Sequence, residues 1–392
     1  MARQRLLNRD FLVLIAIGFC FTATYLLVLL SSTGYSAHAF GTSPSVSSLA
    51  ACTFLIGALG ARIYLGPRID SIGRRRCLAV SGLLGGIVCL FYPLCTDLAQ
   101  YCVVRVLHGV FYGLGLLCAN SLVASVIPAA RRAEGLGVFM LAFTLASAIA
   151  PYFSMYMEYG GDYTGIFRAA AVCCFIPLVL SLLLRSGQPV VRSDDMPVVR
   201  QRHFEPAAFR ISAVMLVFGI SYSSLLTFTT VYGEDIHQEG AMMNFFLVEA
   251  IATLISRTLL SRVPDRYGDN SVLIPCFVLY TMSLFIFAWV HTPASVYLCG
   301  AAMGFIIAYM QAVGQSIAIR RVEPERYSSC ISTFLNSYDI ALAIGPVILG
   351  AIADSFGYSD MYVAAGIVSA ASFVLYIVLH GATDYRQGRR IP

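Results

Sequence analysis

The chain has 392 residues, of which 58% are hydrophobic and only 12% are charged. A soluble domain carries about 25% charged residues, so this chain lacks the charge needed to cover a water-facing surface. Its composition excludes a soluble globular enzyme, a disordered protein and a nucleic-acid binder. All 26 basic residues are Arg. The absence of Lys removes the P-loop and the Schiff-base lysine, and with them a self-contained ATP-driven pump.

Twelve predominantly apolar runs follow one another along the chain, each long enough to cross a bilayer as a helix of about 20 residues. They lie at 11–31, 45–66, 77–95, 98–127, 136–157, 164–184, 208–232, 241–261, 272–290, 294–319, 328–352 and 361–380. The predicted fold class is therefore an all-α integral membrane protein with twelve transmembrane helices.

The Arg residues predict how these helices are oriented. With a cytoplasmic N-terminus, 22 of the 26 Arg fall in cytoplasmic segments, and the six opposite loops contain none. The opposite loops carry acidic residues instead: Asp97, Glu158, Asp162, Glu234, Asp235, Glu239, Asp354 and Asp360. Positive charge concentrates on the cytoplasmic side of membrane proteins. We therefore expect a multi-pass protein of the cytoplasmic (inner) membrane with both termini in the cytoplasm.

The two halves of the chain repeat each other. Arg62, Asp70, Gly73 and Pro151 recur 195 residues later as Arg257, Asp265, Gly268 and Pro346. The longest polar stretch lies between the halves. These features predict an N-terminal six-helix bundle at 1–187, a cytoplasmic linker at 188–206 and a C-terminal six-helix bundle at 207–392. Internal repeats of this kind are typical of secondary transporters.

The loop after the second run reads Gly66-Pro-Arg-Ile-Asp70-Ser-Ile-Gly73-Arg74-Arg75-Arg76. It resembles the signature loop between helices 2 and 3 of the major facilitator superfamily, although Ser71 replaces the usual Arg. The second copy, Ser261-Arg-Val-Pro-Asp265-Arg266-Tyr-Gly268, keeps only Asp-Arg-x-Gly. The resemblance implies two pseudo-symmetric bundles of six helices.

Physical chemistry gives this loop a role as well. Gly66 permits close helix approach and Gly73 a tight turn, while an aspartate there pairs with Arg or a helix N-terminus. We interpret the loops as a cytoplasmic latch between the two halves. Its candidate residues are Arg62, Gly66, Asp70, Gly73, Arg74, Arg257, Asp265 and Gly268. The alternative is that the Arg residues only set the membrane topology.

The fourth run contains Arg105-Val-Leu-His108-Gly109. It resembles the Arg-x-x-Gln-Gly motif of proton-coupled exporters of this superfamily, with His108 in place of Gln. At 1.5 Å per residue, Arg105 lies about 10 Å deep, where a charge is costly and normally faces the bundle interior. Arg105 and His108 are therefore candidates for proton coupling, and Arg105 also for substrate binding. The alternative is a structural Arg satisfied by backbone carbonyls.

Small residues before proline mark the fifth and eleventh runs. Ala146 and Ala150 precede Pro151, and Gly345 precedes Pro346. Small residues at four-residue spacing let helices pack closely, so we predict a helix-packing motif. The antiporter signature of the superfamily has glycines at both small positions of the fifth run, so the departure here leaves the direction of transport open.

Two carboxylates, Glu249 and Asp339, fall well inside predicted spans. Intramembrane acids are functional candidates by default, and we assign both to proton coupling or substrate contact; the alternative is structural pairing, for example of Glu249 with Arg257. The substrate-cavity candidates combine these charges with aromatic residues: Tyr25, Arg105, Phe111, Tyr112, Tyr222, Glu249, Tyr309 and Asp339. Opposite charges in the two halves favour a zwitterionic or amphoteric substrate. Plain packing or lipid contact explains the aromatic residues equally well.

No metal or other cofactor is predicted, and the energy source is the proton gradient. The six His and twelve Cys show no H-x-x-x-H or C-x-x-C spacing, and we interpret the cysteines as small hydrophobic residues.

The predicted function is export of a small organic molecule by proton antiport, with alternating access. Phrases such as Arg105–Gly115 resemble a bacterial branch of drug-efflux pumps and opine-metallophore exporters. Symport or uniport for uptake is one alternative, and a transport-inactive sensor or scaffold is another. The expected partners are a small-molecule substrate, protons and the lipid bilayer, without nucleic acid, and we expect a monomer and no enzymatic activity.

Overall fold

The computed structural model describes residues 8–127, 131–184, 205–260, 268–320 and 326–381, and every regular element within them is helical. Some side chains inside these ranges lie outside the description, namely those at 67, 70, 124, 132–134, 257–260, 308 and 327–329.

The described residues form twelve helices long and apolar enough to cross a membrane, which confirms the predicted fold class. They are α1 Arg9–Phe40, α2 Leu49–Leu65, α3 Arg74–Phe91, α4 Leu98–Val126, α5 Arg132–Tyr159, α6 Tyr163–Leu183, α7 Phe209–Asp235, α8 Glu239–Leu260, α9 Asn270–Phe287, α10 Pro293–Ile319, α11 Tyr327–Phe356 and α12 Tyr358–Tyr376. Short helical turns at Pro44–Ser47 and Ile69–Ile72 flank α2 and α3.

Helix α1 extends nine residues beyond the end of its apolar run, which was predicted to lie at residue 31. The extra turns contain Ser, Thr and Gly, which lower hydropathy without breaking the helix. The hydroxyls of Ser32 and Ser36 donate to the carbonyls of Leu29 and Ser32, at 2.7 Å each, so their polarity is satisfied inside the helix. Gly41 ends α1 in the left-handed conformation, with φ of 63°.

The chain divides into two compact units. Unit 1 comprises Met1–Ser43 and Leu49–Pro197, and unit 2 comprises Pro44–Ser48 and Val198–Pro392. Within unit 1, α1 packs on α5 and α6, α2 packs on α4, and α3 packs on α4 and α6. Unit 2 repeats this pattern, because α7 packs on α11 and α12, α8 on α10, and α9 on α10 and α12. The two units thus share one internal topology.

The repeat extends to atomic contacts. In unit 1, α4 approaches α2 so closely that a Cβ atom added to Gly109 would lie 2.9 Å from the carbonyl carbon of Phe54. In unit 2, a Cβ atom at Gly304 would lie 2.7 Å from the carbonyl carbon of Glu249. Both residues of the second contact follow their counterparts by 195 positions. Glycine is required at both sites because only a residue without a side chain permits this approach.

A second repeated contact ties the first helix of each unit to the end of the third. The hydroxyl of Tyr35 in α1 donates to the carbonyl of Tyr92, at 3.4 Å. The hydroxyl of Tyr232 in α7 donates to the carbonyl of Phe287, at 3.1 Å. The two acceptors are 195 residues apart and the two donors 197. The first helices are therefore shifted by two residues relative to the rest of the repeat.

The end of the predicted linker belongs to unit 2. Most of the segment 188–206 lies outside the described residues, but Glu205 is buried. Its backbone N–H donates to the Thr333 hydroxyl at 2.8 Å, and its carboxylate accepts hydrogen bonds from the Arg326 guanidinium. This ion pair anchors the end of the predicted linker to the start of α11.

A charged cluster holds the helix ends together on one side of unit 2. Asp269, immediately before α9, is 1% exposed. It accepts two hydrogen bonds from Arg320 at the end of α10, at 2.6 and 2.9 Å, and lies 3.9 Å from the imidazole of His380. Burial alone raises the pKa of Asp269, but the nearby His380 imidazole and the hydrogen bonds from Arg320 outweigh it and hold this pKa below its usual value.

The close approach of α2 and α4 predicts the effect of a single methyl group. Replacement of Gly109→Ala forces this methyl into the Phe54 carbonyl, and we expect a loss of about 1–3 kcal/mol of stability. Thermal unfolding of the purified protein in detergent measures this loss. Gly60→Ala is the matched control, because no atom lies within 4 Å of a Cβ at Gly60 in the same helix pair. Equal melting temperatures for the two variants would contradict the close contact.

The Asp269 cluster predicts a pH dependence of stability. A carboxylate whose pKa is lowered on folding stabilises the protein above the unfolded pKa of about 3.9. That stabilisation is lost as the pH falls through the folded pKa. We expect Asp269→Asn to destabilise unit 2 by about 1–3 kcal/mol at pH 7.

The acid sensitivity is measured by melting curves between pH 3 and pH 8. The Asp269→Asn variant should lose less stability on acidification than the unsubstituted protein does. Asp360→Asn, at an exposed carboxylate in the first turn of α12, serves as control and should follow the unsubstituted protein. Parallel curves for Asp269→Asn and the unsubstituted protein would mean that this carboxylate gains nothing on folding.

Candidate functional site

Arg105 is fully buried inside unit 1. Its Nε donates to the backbone carbonyl of Ala50 at 2.8 Å, and its guanidinium lies 4.8 Å from the centre of the Phe54 ring. Both terminal nitrogens lack a hydrogen-bond acceptor among the described residues, although the buried hydroxyls of Tyr92 and Tyr101 interact electrostatically with the charge. The hydrogen bond to the Ala50 carbonyl and the contact with the Phe54 ring therefore hold the guanidinium in place, while most of its N–H groups make no hydrogen bond.

His108 lies one turn after Arg105 on α4 and is also fully buried. Its Nδ1 is hydrogen-bonded to the Tyr92 hydroxyl at 2.9 Å, and its Nε2 faces the Cys89 sulfur at 3.5 Å. The ring packs edge-on against Phe54 with 5.1 Å between ring centres. Arg105 and His108 therefore share one aromatic surface, as expected for residues three positions apart on a helix.

An aromatic group surrounds these two side chains. Tyr25 stacks on Phe54 at 5.2 Å and on Tyr112 at 5.3 Å, and Phe54 contacts Tyr112 at 5.1 Å. Tyr25 and Tyr112 were predicted, and the structure brings them together. Phe54 was missed because a Phe in an apolar run gives no signal. Phe111 lies elsewhere, with its Cβ facing Gly85 of α3.

Glu249 occupies the interior of unit 2. Its side chain is 9% exposed, and its carboxylate makes no hydrogen bond or ion pair with any residue that the structure describes. The buried hydroxyl of Tyr280 on α9 lies close enough to interact electrostatically with it. The side chain of Arg257, the partner considered from the sequence, lies outside the described residues. Glu249 is therefore an ionisable group in apolar surroundings, on a backbone held by the contact with Gly304.

The other candidates of unit 2 are distributed over different helix pairs. Asp339 on α11 is partly buried and has interaction partners. Tyr222 stacks on Tyr338 at 6.2 Å, where α7 packs on α11, next to Asp339 in sequence. Tyr309 on α10 donates to the carbonyl of Ser256 at 2.7 Å, which gives its hydroxyl a structural role. Glu249 on α8 belongs to the α8–α10 pair and Asp339 to the α7–α11 pair.

The candidate latch is only partly within the described residues. Gly73 and Gly268 have φ of 101° and 84°, the left-handed region that a tight turn before a helix requires. Arg74 donates to the carbonyl of Ser121 at 3.3 Å, between α3 and α4. Gly66 faces Leu117 of α4, at 3.4 Å from a Cβ atom placed there, and Arg62 is partly buried with interaction partners. Asp265 and the side chains of Asp70 and Arg257 lie outside the described residues.

The predicted packing motif faces the first helix of its own unit. Ala146 and Ala150 are buried where α5 packs on α1, and Pro151 lies within α5. In unit 2, a Cβ at Gly345 would lie 3.0 Å from the backbone of Ile220, and Pro346 follows within α11. These small residues therefore permit close contacts inside each unit.

Sequence reasoning missed two further features. Glu158, assigned to an outer loop, is instead 3% exposed near the end of α5, with its carboxylate against Gly34 of α1. It was missed because both helices extend beyond their apolar runs. Cys89 and Cys174, interpreted as hydrophobic packing, meet His108 from two other helices. No local spacing could have revealed that meeting.

Comparison with known proteins identifies a family and relatives that this chain resembles. The Major Facilitator Superfamily profile matches residues 13–293 and 245–391. A protein described as a multidrug resistance protein, MdtG, of Enterobacter lignolyticus is 24% identical over 331 residues, covering 81% of this chain and 78% of its own. An uncharacterized MFS-type transporter of Methanocaldococcus jannaschii is 22% identical over 337 residues, covering 81% and 84%.

Solved structures share the fold. The nucleoside transporter NupG matches with a TM-score of 0.78 and 13% identity, covering 95% of this chain and 99% of that one. A bacterial homologue of the lysosomal transporter Spinster, inward-facing and unoccupied, matches with a TM-score of 0.73 and 12% identity, covering 97% and 96%. With the profile match over both units and the twelve apolar helices, these findings show that the chain belongs to the major facilitator superfamily and is a membrane transporter, not an enzyme.

Proposed function

We propose that this transporter exports a small organic molecule in exchange for protons, and that Glu249 carries the proton. The observation that carries the proposal is the isolation of Glu249. It is a buried carboxylate on α8, in the interior of unit 2, and it has no charged partner among the described residues. The description of relatives at 22–24% identity as multidrug resistance proteins supports export.

The physical reason is the cost of burying a charge. A carboxylate in apolar surroundings is unfavourable unless it is paired, whereas the protonated acid is neutral. Such a group binds a proton before it is enclosed and releases it when water or a cation reaches it. Because the Glu249 backbone is held against Gly304, we expect the side chain to titrate on a fixed support as access alternates between the two sides of the membrane.

The two units contain different buried charged groups. Unit 1 contributes the buried cation Arg105 beside the aromatic group of Tyr25, Phe54 and Tyr112. Unit 2 contributes the acid Glu249. A cation next to aromatic rings suits a planar molecule that carries a negative group, and an acid suits a positive one. We therefore propose amphoteric aromatic compounds as the substrate class.

We also propose that the protein lies in the cytoplasmic membrane with both termini in the cytoplasm.

Uptake by symport or uniport is the main alternative, and solved structures described as nucleoside and POT-family transporters share the fold. An assay in everted membrane vesicles separates these outcomes. Substrate that enters the lumen by antiport drives protons out and makes the lumen more alkaline, whereas symport carries protons in with the substrate. A scaffold without transport activity would produce no flux in either orientation.

The test uses everted membrane vesicles with a pH-sensitive dye. After a respiration-driven proton gradient is established, amphoteric aromatic compounds and lipophilic cations are added in turn. We expect at least one amphoteric compound to dissipate the gradient. Glu249→Gln should abolish this response because the amide cannot carry a proton. Gradient-independent exchange of the labelled compound should persist.

The matched control is Glu239→Gln, the same chemical change in the first turn of the same helix. It should retain proton-driven transport. Asp339→Asn separates the two intramembrane candidates, since a response lost only in Asp339→Asn would transfer the proton to that residue. Labelled flux that ignores the gradient in the unsubstituted protein would overturn antiport and favour a uniporter.

A further inference from the structure

Three soft donor groups from three helices meet inside unit 1. Cys89 belongs to α3, His108 to α4 and Cys174 to α6, and their donor atoms all lie within 4.8 Å of one another. All three residues are buried, with exposed fractions of 0%, 0% and 2%. Within the described part of the chain, no other group of three His, Cys, Asp or Glu residues meets this criterion.

The imidazole of His108 is oriented toward the sulfurs. Nδ1 is hydrogen-bonded to the Tyr92 hydroxyl at 2.9 Å, and Nε2 is 3.5 Å from the Cys89 sulfur. When Nδ1 donates to Tyr92, Nε2 carries the free lone pair. A histidine ligand whose other nitrogen is fixed by a hydrogen bond is typical of metal sites in proteins.

The second sulfur is also held in place. The Thr24 hydroxyl donates to the Ala170 carbonyl at 3.0 Å and lies 3.5 Å from the Cys174 sulfur. Helix α3 packs directly on α4 and on α6. The three donors therefore come from helices whose relative positions the packing of unit 1 already determines. The cluster is thus preorganised rather than assembled from flexible loops.

Charge and donor type indicate which ion fits. Two thiolates and one imidazole form a soft donor set, which suits Cu⁺ or Zn²⁺ rather than oxygen-seeking ions such as Ca²⁺ or Mg²⁺. Structural Zn²⁺ sites normally have four protein ligands. Cu⁺ with two thiolates and an imidazole carries one negative charge. Arg105, fully buried one turn away on α4 and within electrostatic range of Cys89, supplies one positive charge.

This balance also lowers the cost of burying the Arg105 charge. Its two terminal nitrogens have no hydrogen-bond acceptor among the described residues, and a buried unpaired cation is costly. An anionic metal centre beside it offsets that cost. We propose that Cys89, His108 and Cys174 bind one Cu⁺ ion within unit 1. Binding exchanges two thiol protons, released to the solvent, for two Cu–S bonds, and the copper stays in the +1 state throughout.

The test uses the purified full-length protein in detergent, under anaerobic conditions with a reductant. Cu⁺ is supplied with a chromogenic chelator that competes for it and suppresses weak binding by the other cysteines. We expect one Cu⁺ per chain. Each of Cys89→Ser, Cys174→Ser and His108→Gln should lower the affinity by at least about tenfold. Cys276→Ser, at a buried cysteine of unit 2, should bind like the unsubstituted protein.

Two further measurements guard against variants that fail to fold. X-ray absorption of the Cu⁺-loaded unsubstituted protein should show two sulfur and one nitrogen neighbours. Tyr92→Phe removes the hydrogen bond to Nδ1 but no ligand, and it should weaken binding while leaving the same neighbours. Copper with only oxygen or nitrogen neighbours, an affinity unchanged in all three ligand variants, or binding of Zn²⁺ without Cu⁺ would overturn the proposal.

Discussion

The contact between the second and fourth helices of each unit determines most of what surrounds it. At Gly109 and again at Gly304, the backbone of one helix touches a carbonyl of the other. Contacts this close fix the rotation and depth of both helices, because close-packed interiors tolerate almost no displacement. The positions of Arg105 and His108, within one turn of Gly109, and of Glu249, whose own carbonyl forms the contact, follow from it.

The repeated contact carries different side chains in the two units. The carbonyl touched by Gly109 belongs to Phe54, and the one touched by Gly304 belongs to Glu249. Phe54 presents an aromatic face to a buried guanidinium and a buried imidazole. Its counterpart presents a carboxylate in apolar surroundings. A cation of the first unit and an acid of the second are thus placed by the same piece of backbone geometry.

The number of helices and the repeat could be predicted from sequence because hydropathy and residue identity are local signals. The 195-residue offset was visible at Arg62 and Arg257 but not at Phe54 and Glu249, since the matching positions hold unlike residues. The predicted end of α1 was wrong because serines whose hydroxyls donate hydrogen bonds to their own helix backbone lower the hydropathy without ending the helix. Glu158 was placed in a loop because α5 also continues past its apolar run, to Tyr159.

The cluster of Cys89, His108 and Cys174 was beyond sequence reasoning for a different reason. Metal motifs are recognised by short spacings on one element, and these residues reach each other only after three helices have packed. The Asp269 cluster is similar, because Asp269, Arg320 and His380 come from three separate helix ends. Nothing in the local sequence around Asp269 indicates that this acid is buried.

Because the contact at positions 54 and 249 uses a backbone carbonyl, the contact itself does not depend on the side chain there. A duplicated bundle built this way holds two equivalent sockets whose chemistry can change independently while the helices stay in place. The residue at this position is aromatic in unit 1 and acidic in unit 2. The side chain at either position can therefore differ while the backbone contact between the two helices is kept.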